Sequence, residues 1–415
     1  MQSIEPSPFR NRFYFPPAEK SGREKIYLDG NSLGPMLRAI PEHLQSVVQD
    51  QWAEQLIGGW NAGWMELPTR LGDMIGQIIG ARQGETLIAD STSVNLYKLA
   101  VAALGERPDR NQILTDNSNF PSDRYVLGHL NHSADQRIEL RTIPWSYGSS
   151  TSFLAALEQS ITPRTALISL SHVDYRSGYA FDIPAVTEMA HRYGVRVLWD
   201  LSHSVGALPI ELAACQADLA VGCTYKFLNG GPGAPAFLYV RQDLQRLLAN
   251  PIAGWLSAAN PFAFGEQFEP SNTIRRFWVG TPPILSMAAI EPGLRLTLEA
   301  GVPWIRERSL QLTSYFMEQS TKRLEALGYL VVTPSAPERR GSHVALAHRE
   351  AWRITQALID LHDVIPDFRP PNIVRIGIAP LYTGAAELDQ TVEALEKIIR
   401  NQEFLRYTET KSGVT

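Results

Sequence analysis

Between residues 85 and 240, short apolar runs alternate with segments of helical period. The runs fall at 85–90, 111–116 (NQILTD), 138–143 (IELRTI), 165–171 (TALISLS), 195–199 (VRVLW) and 219–223 (LAVGC). Most are β-branched and bounded by Gly, Pro or polar residues, which suits strands buried on both faces. Helical segments between them, among them VNLYKLAVAAL after Ser93 and residues 150–160, predict a mostly parallel sheet covered on both sides. PAFLYV (235–240) adds a strand whose direction the pattern leaves open. After Pro282-Pro283 the pattern shifts to long helices over about 284–328. Short strands follow near 329–333, 342–347 and 373–379, the mark of a smaller α+β domain. Upstream, residues 1–22 are Pro-rich and irregular, and IYLDGNSLG (26–34) reads as a short strand and a turn. Residues 36–57 have helical period and are expected to pack on the smaller domain. The expected division is an arm and helix (1–55), a large α/β domain (56–290) and a small domain (291–415).

Composition narrows the class. The 415 residues are 44% apolar and 20% charged, an ordinary globular balance with length enough for two domains. A net charge of −5 and a pI near 6.0 give no basic excess for nucleic acid or an anionic membrane. The start, MQSIEPSPFRNRFYFPP, lacks the apolar core of a secretory leader, and no apolar stretch reaches membrane-spanning length. Cys215 and Cys223 form no CxxC pair, so a reducing cytoplasm is the expected compartment.

The candidate chemistry sits where two apolar runs end. The first closes on Asp200 with His203 just beyond, and the second on Thr224, Tyr225 and Lys226 before the Gly/Pro-rich NGGPGAP. Open α/β sheets bind ligands at this strand edge. A lysine can form a Schiff base with an aldehyde cofactor, and a carboxylate facing a pyridine nitrogen keeps that nitrogen protonated. Pyridoxal phosphate needs both. Alternatively, Lys226 is a surface lysine and Asp200 a strand-end cap. Ser91-Thr92-Ser93 at a helix start are either caps or a phosphate site. Phe120 either stacks on a flat cofactor or staples its helix, and Trp60 and Trp64 either pack a loop or line an aromatic pocket. NGGPGAP lacks the GKS/T ending of a nucleotide-binding loop. His129 and His132 lack a third ligand and read as a solvated helix face, so no metal is expected. His343 and His348 carry no assignment.

DSTSVN, NFPSD, WDLSHSVGALP, CTYKFLNGGPGAPAF, GTPPILSMAA and VRIGIAPLYT, in this order and spacing, resemble the kynureninase family, from about Tyr27 to Thr383. The resemblance implies a pyridoxal-phosphate enzyme of aminotransferase fold type I that hydrolyses L-kynurenine to anthranilate and L-alanine, as a homodimer. It implies that Lys226 carries the cofactor, Asp200 pairs with the pyridine nitrogen with His203 beside it, and Phe120 stacks on the ring. Thr92, Ser93 and Tyr225 would bind the phosphate, Asp123 and Ser171 would complete the cofactor shell, and Trp255 and Thr281 would reach in from the neighbouring subunit. Arg375 would hold the substrate α-carboxylate, and Trp64 would face the aryl ring. Tyr225 is the candidate acid for the β-carbon. Trp64 and Gly280-Thr281 resemble the bacterial type, which favours plain kynurenine over its 3-hydroxylated form. A desulfurase-like enzyme needs a cysteine late in the chain, and none follows Lys226. A cofactor-sensing regulator needs a basic DNA-binding module that the chain lacks. Aminotransferase chemistry is separated only by its product.

Overall fold

The computed structural model describes residues 4–18, 22–130, 137–149 and 151–409. In chain order the N-terminal part gives β1 (Ile26–Tyr27), α1 (Ile40–Ser46) and α2 (Leu67–Ile78). There follow β2 (Thr86–Ile88), α3 (Thr92–Glu106), β3 (Gln112–Asp116), α4 (Pro121–His129), β4 (Glu139–Ile143), α5 (Phe153–Ser160), β5 (Thr165–Ser171), α6 (Ile183–Arg192), β6 (Arg196–Asp200), β7 (Leu219–Gly222) and β8 (Phe237–Val240). These alternating strands and helices build one seven-stranded sheet of order β2-β8-β7-β6-β5-β3-β4. From β7 to β4 every neighbour is parallel. β8 runs antiparallel to both β7 and β2, because no crossover helix separates it from β7, and a parallel return needs one.

The strands alternate between two apolar layers, as burial on both faces requires. Along β6, Val197 and Trp199 enter the layer under α2 and α6, while Leu198 enters the one under α3. The polar ends Ser171 and Asp200 therefore emerge together at the C-terminal edge, in register as cross-strand partners.

The 36–57 segment is not one regular helix. α1 passes into a wide π-type turn at Val47–Ala53 and then a tight turn at Leu56–Trp60 that contains the Gly58-Gly59 pair. It touches α7 (Ile284–Ala288). α8 (Glu291–Ala300) and α9 (Val302–Leu324) then lead to a four-stranded antiparallel sheet. It holds β9 (Leu330–Val331), β10 (His343–Ala347), β12 (Asp367–Arg369) and β13 (Ile373–Gly377), in the order β12-β13-β10-β9. α10 (Ala351–His362) and α11 (Ala385–Arg400) pack with α9 around it. β11 (Val364–Ile365) pairs parallel with β1, so the N-terminal arm is stitched to this C-terminal layer. No helix among the described residues is long and apolar enough to cross a membrane.

Candidate active site

A cavity of about 310 Å³ opens at the C-terminal edge of the large sheet. β5 delivers Ser171 to it, β6 delivers Asp200, and the turns after β6 and β7 deliver His203, Tyr225 and Lys226. Two helix starts face the same space. Ser91 caps α3 by accepting from the Val94 N–H at 3.4 Å, which leaves Thr92 and Ser93 on the cavity wall. Phe120 precedes α4, whose first turn carries Ser122 and Asp123; the Ser93 and Ser122 hydroxyls lie 3.0 Å apart. Free N–H groups and the positive ends of two helices make this corner suited to an anion.

Lys226 Nζ stands 6.0 Å from the centre of the Phe120 ring, whose edge meets Tyr175 at 5.2 Å. Asp200 Oδ1 accepts from the Ser202 N–H at 2.8 Å. Burial, then the charge and hydrogen bond of Asp200, push the Asp123 carboxyl well above its usual pKa. Burial, then the Lys226 and Arg375 charges, hold His203 well below the usual imidazole value, so its ring is neutral. The neighbouring Cys223, followed by burial, raises the Tyr225 phenol, which stays protonated. Ser171 Oγ donates to Asn119 Oδ1 at 2.7 Å. Buried Asp123 Oδ2 and His203 Nδ1 have no partner among the described residues. A lysine, a carboxylate, an aromatic face, hydroxyls at helix starts and two unmet buried polar atoms fit pyridoxal phosphate.

Nine of the expected residues thus meet in one cavity. Four do not. Trp64 donates through Nε1 to Gln51 Oε1 at 2.9 Å and stands edge-on to Trp60, in an apolar groove with Trp52, Ile57 and Pro282. Trp255 is exposed beside Phe262 and Phe264, and Thr281 is exposed in the loop before Pro282. Arg375 lies behind the wall with its side chain fully buried. Its Nε and Nη2 donate to Asp367 at 3.0 and 2.5 Å, and its Nη1 to the Tyr175 carbonyl at 2.6 Å.

The cavity also contains residues that the sequence reading passed over: Asn31, Ser32, Ser122, Tyr175, Ser202 and Arg369. GNSLG was legible only as a turn. Its depth in the site is set by Gly377, where an added Cβ would fall 1.9 Å from Asn31 Oδ1. Arg369 belongs to a three-residue strand next to Pro370-Pro371, too short to show a period. Among the described residues no group of three or more His, Cys, Asp or Glu side chains could hold a metal. His129 Nδ1 lies 2.8 Å from the Tyr125 carbonyl, and His132 falls outside the described residues. His343 is buried edge-on to His203 at 5.7 Å, and His348 accepts from the Glu350 N–H. Cys223 is buried and Cys215 half-buried, and burial raises both thiols.

Residues 305–395 match the family model described as the kynureninase C-terminal domain, and residues 150–216 match the DegT/DnrJ/EryC1/StrS aminotransferase family. The chain is 40% identical over 398 residues to a kynureninase of Pseudomonas fluorescens, covering 95% of this chain and 92% of that one. A kynureninase of Burkholderia pseudomallei (strain K96243) is 41% identical with the same coverage. In three dimensions the chain is similar to a cysteine desulfurase from Thermococcus onnurineus NA1, with a TM-score of 0.80 at 16% identity over 96% of this chain and all of the other. That likeness establishes the aminotransferase-type fold.

Proposed function

The chain belongs to the kynureninase family, and from that membership we propose that it hydrolyses L-kynurenine to anthranilate and L-alanine with pyridoxal 5′-phosphate. The observation that carries the reading is the single cavity in which Lys226, Asp200 and Phe120 meet. When bound, the cofactor supplies an electron sink for the substrate's α- and β-carbons. Lys226 would attach it and afterwards move the α-proton with Nζ. Asp200 would keep a proton on the ring nitrogen. Phe120 would stack on the ring and exclude water. Thr92, Ser93 and Tyr225 would hold the phosphate, and Asp123, Ser171 and neutral His203 would complete the polar shell. Water adds to the side-chain ketone, the bond between that carbon and the β-carbon breaks, and the Tyr225 hydroxyl gives its proton to the β-carbon. Anthranilate leaves with the added oxygen.

Trp255, Thr281 and Trp64 act in the site of a second copy, in a cytoplasmic homodimer. The reading is supported by the apolar groove around Trp52, Leu56 and Ile57, the last 80% exposed, and by the uncovered Trp255–Phe262–Phe264 cluster. Purified protein incubated with L-kynurenine should release anthranilate and alanine in equal amounts. A keto acid without anthranilate would assign aminotransferase chemistry instead.

A further inference from the structure

Strands alternate their side chains, and antiparallel partners face each other. In the β12–β13 hairpin this places Asp367 and Arg369 on one face, with Arg375 directly across from Asp367. Phe368, between them, turns the other way and packs edge-on to Trp352 at 5.6 Å. The result is two guanidiniums converging on one carboxylate. Asp367 Oδ2 receives Arg375 Nη2 at 2.5 Å and Arg369 Nη2 at 2.6 Å. Ser32 Oγ accepts from the same two nitrogens at 2.8 and 3.3 Å and donates to Asp367 at 2.9 Å.

The two arginines are not equivalent. Every nitrogen of Arg375 donates within the protein, and its side chain is 0% exposed. Arg369 lines the cavity that holds Lys226, keeps 30% of its side chain exposed, and its buried Nε has no partner among the described residues. An amino acid that takes the place of Lys226 Nζ would be attached through its α-nitrogen and carries its carboxylate on the adjacent carbon, so the carboxylate must be met inside this cavity. The charges agree. Arg375 and Arg369 contribute two positive charges and Asp367 one negative. Nearby Asp29 is pushed up to about 7 by burial and by Asp367, so below that pH one positive charge is left over.

We propose that Arg369 presents its guanidinium to the substrate's α-carboxylate as the second cation of a two-arginine site, with Asp367 the positioning residue that aims both. The proposal rests on the reaction proposed above only for the identity of the substrate; any α-amino acid with a free carboxylate tests it. Planar two-pronged donors suit a carboxylate better than an ammonium does.

The test titrates cofactor-loaded protein with L-alanine and L-alaninamide and follows the visible spectrum. Both ligands carry the α-amino group, and only alanine carries the carboxylate. Wild type should bind alanine more tightly. Arg369→Ala should weaken alanine binding by about tenfold or more, the worth of a charge-assisted hydrogen bond, and change alaninamide binding by less than about twofold. Arg369→Lys should restore only part of the preference, and Asp367→Asn should lower it with Arg369 still present. An unchanged visible spectrum reports that each variant is folded and loaded. If Arg369→Ala keeps the wild-type preference, the proposal is overturned, whether or not kynurenine is hydrolysed. If the preference is lost but wild type releases no anthranilate from kynurenine, Arg369 keeps its role and the proposed reaction fails.

Discussion

Replacing Asp367 with Asn tests the carboxylate on which Arg375 and Arg369 converge. The substitution keeps the side chain's shape and removes its charge. It leaves Arg375 without its counter-ion in a fully buried position, with Arg369 converging on the same point. A unit charge pair at about 4 Å is worth about 4 kcal/mol at the effective dielectric of a protein surface. Breaking one side of a buried pair costs about 3–5 kcal/mol. The Arg375 contact should dominate, since the Arg369 side chain retains access to water and its pair is discounted accordingly. The asparagine amide adds a donor where donors already crowd. Asp367→Asn should therefore lose about 3–5 kcal/mol in equilibrium denaturation at neutral pH. Burial alone would raise Asp367, but the charges of Arg375 and Arg369 hold it below the usual carboxylate range. Its contribution is then complete above the unfolded carboxylate value, about 3.9, and disappears as pH falls through the lower folded value, so the two proteins should converge in acid. Adding Arg375→Met removes the stranded charge, and the double variant should be clearly more stable than the sum of the two single losses predicts. A loss under about 1 kcal/mol in Asp367→Asn, or strict additivity in the double variant, would refute the reasoning.

Four other outcomes are expected. Loaded wild type should absorb in the visible and Lys226→Ala should not; recovery of the borohydride-reduced cofactor on another lysine would remove that assignment. Mixing Lys226→Ala with Trp255→Ala protein should restore activity, because a hybrid dimer has one intact site; no recovery would mean that Trp255 does not cross to the partner. Steady-state kinetics should give a higher kcat/KM for L-kynurenine than for 3-hydroxy-L-kynurenine, by about 10²-fold at most, since the single Trp64 donor is already committed to Gln51; equal or reversed efficiencies would show that Trp64 and Thr281 do not set specificity. Asp29, pushed up to about 7 by burial and Asp367, contributes stability that is complete below about 3.9 and lost as pH rises through 7. Asp29→Asn should lack that slope, and an identical pH profile in both proteins would show that Asp29 titrates normally.

The large sheet and the centre of the site were legible because the same residues report both. A run such as Thr165–Ser171 is apolar, β-branched and bounded, and it forms a strand over the residues expected. A polar residue at the end of such a run has nowhere to go but the sheet edge, which is why Asp200, Ser171 and Lys226 could be picked out. Arg369 and Asp367 give no comparable signal. Their strand is three residues long, and their pairing depends on register with a second strand. Asn31 and Ser32 reach the cavity only because β1 is docked on β11, a contact more than 330 residues apart in sequence. Arg375 was assigned from the family resemblance, but its neighbours are tertiary, and they occupy its donors.

The path of the arm from β1 to Gly34 couples two parts of the molecule that share no sheet. At one end Tyr27 is paired with Ile365 in the C-terminal layer. At the other, the Gly34 N–H donates to the Tyr225 carbonyl at 2.7 Å, so close that an added Cβ would lie 2.5 Å from the Lys226 carbonyl oxygen. Residues 27–34, folded into a turn by the Ser32 and Leu33 N–H groups on the Asp29 carbonyl, link the layer that carries the arginines to the backbone that carries the lysine. Any rocking of one layer over the other must deform this hydrogen-bonded turn or detach Gly34 from Tyr225, so the separation of cation pair and amine depends on a short local turn as well as on the two sheets.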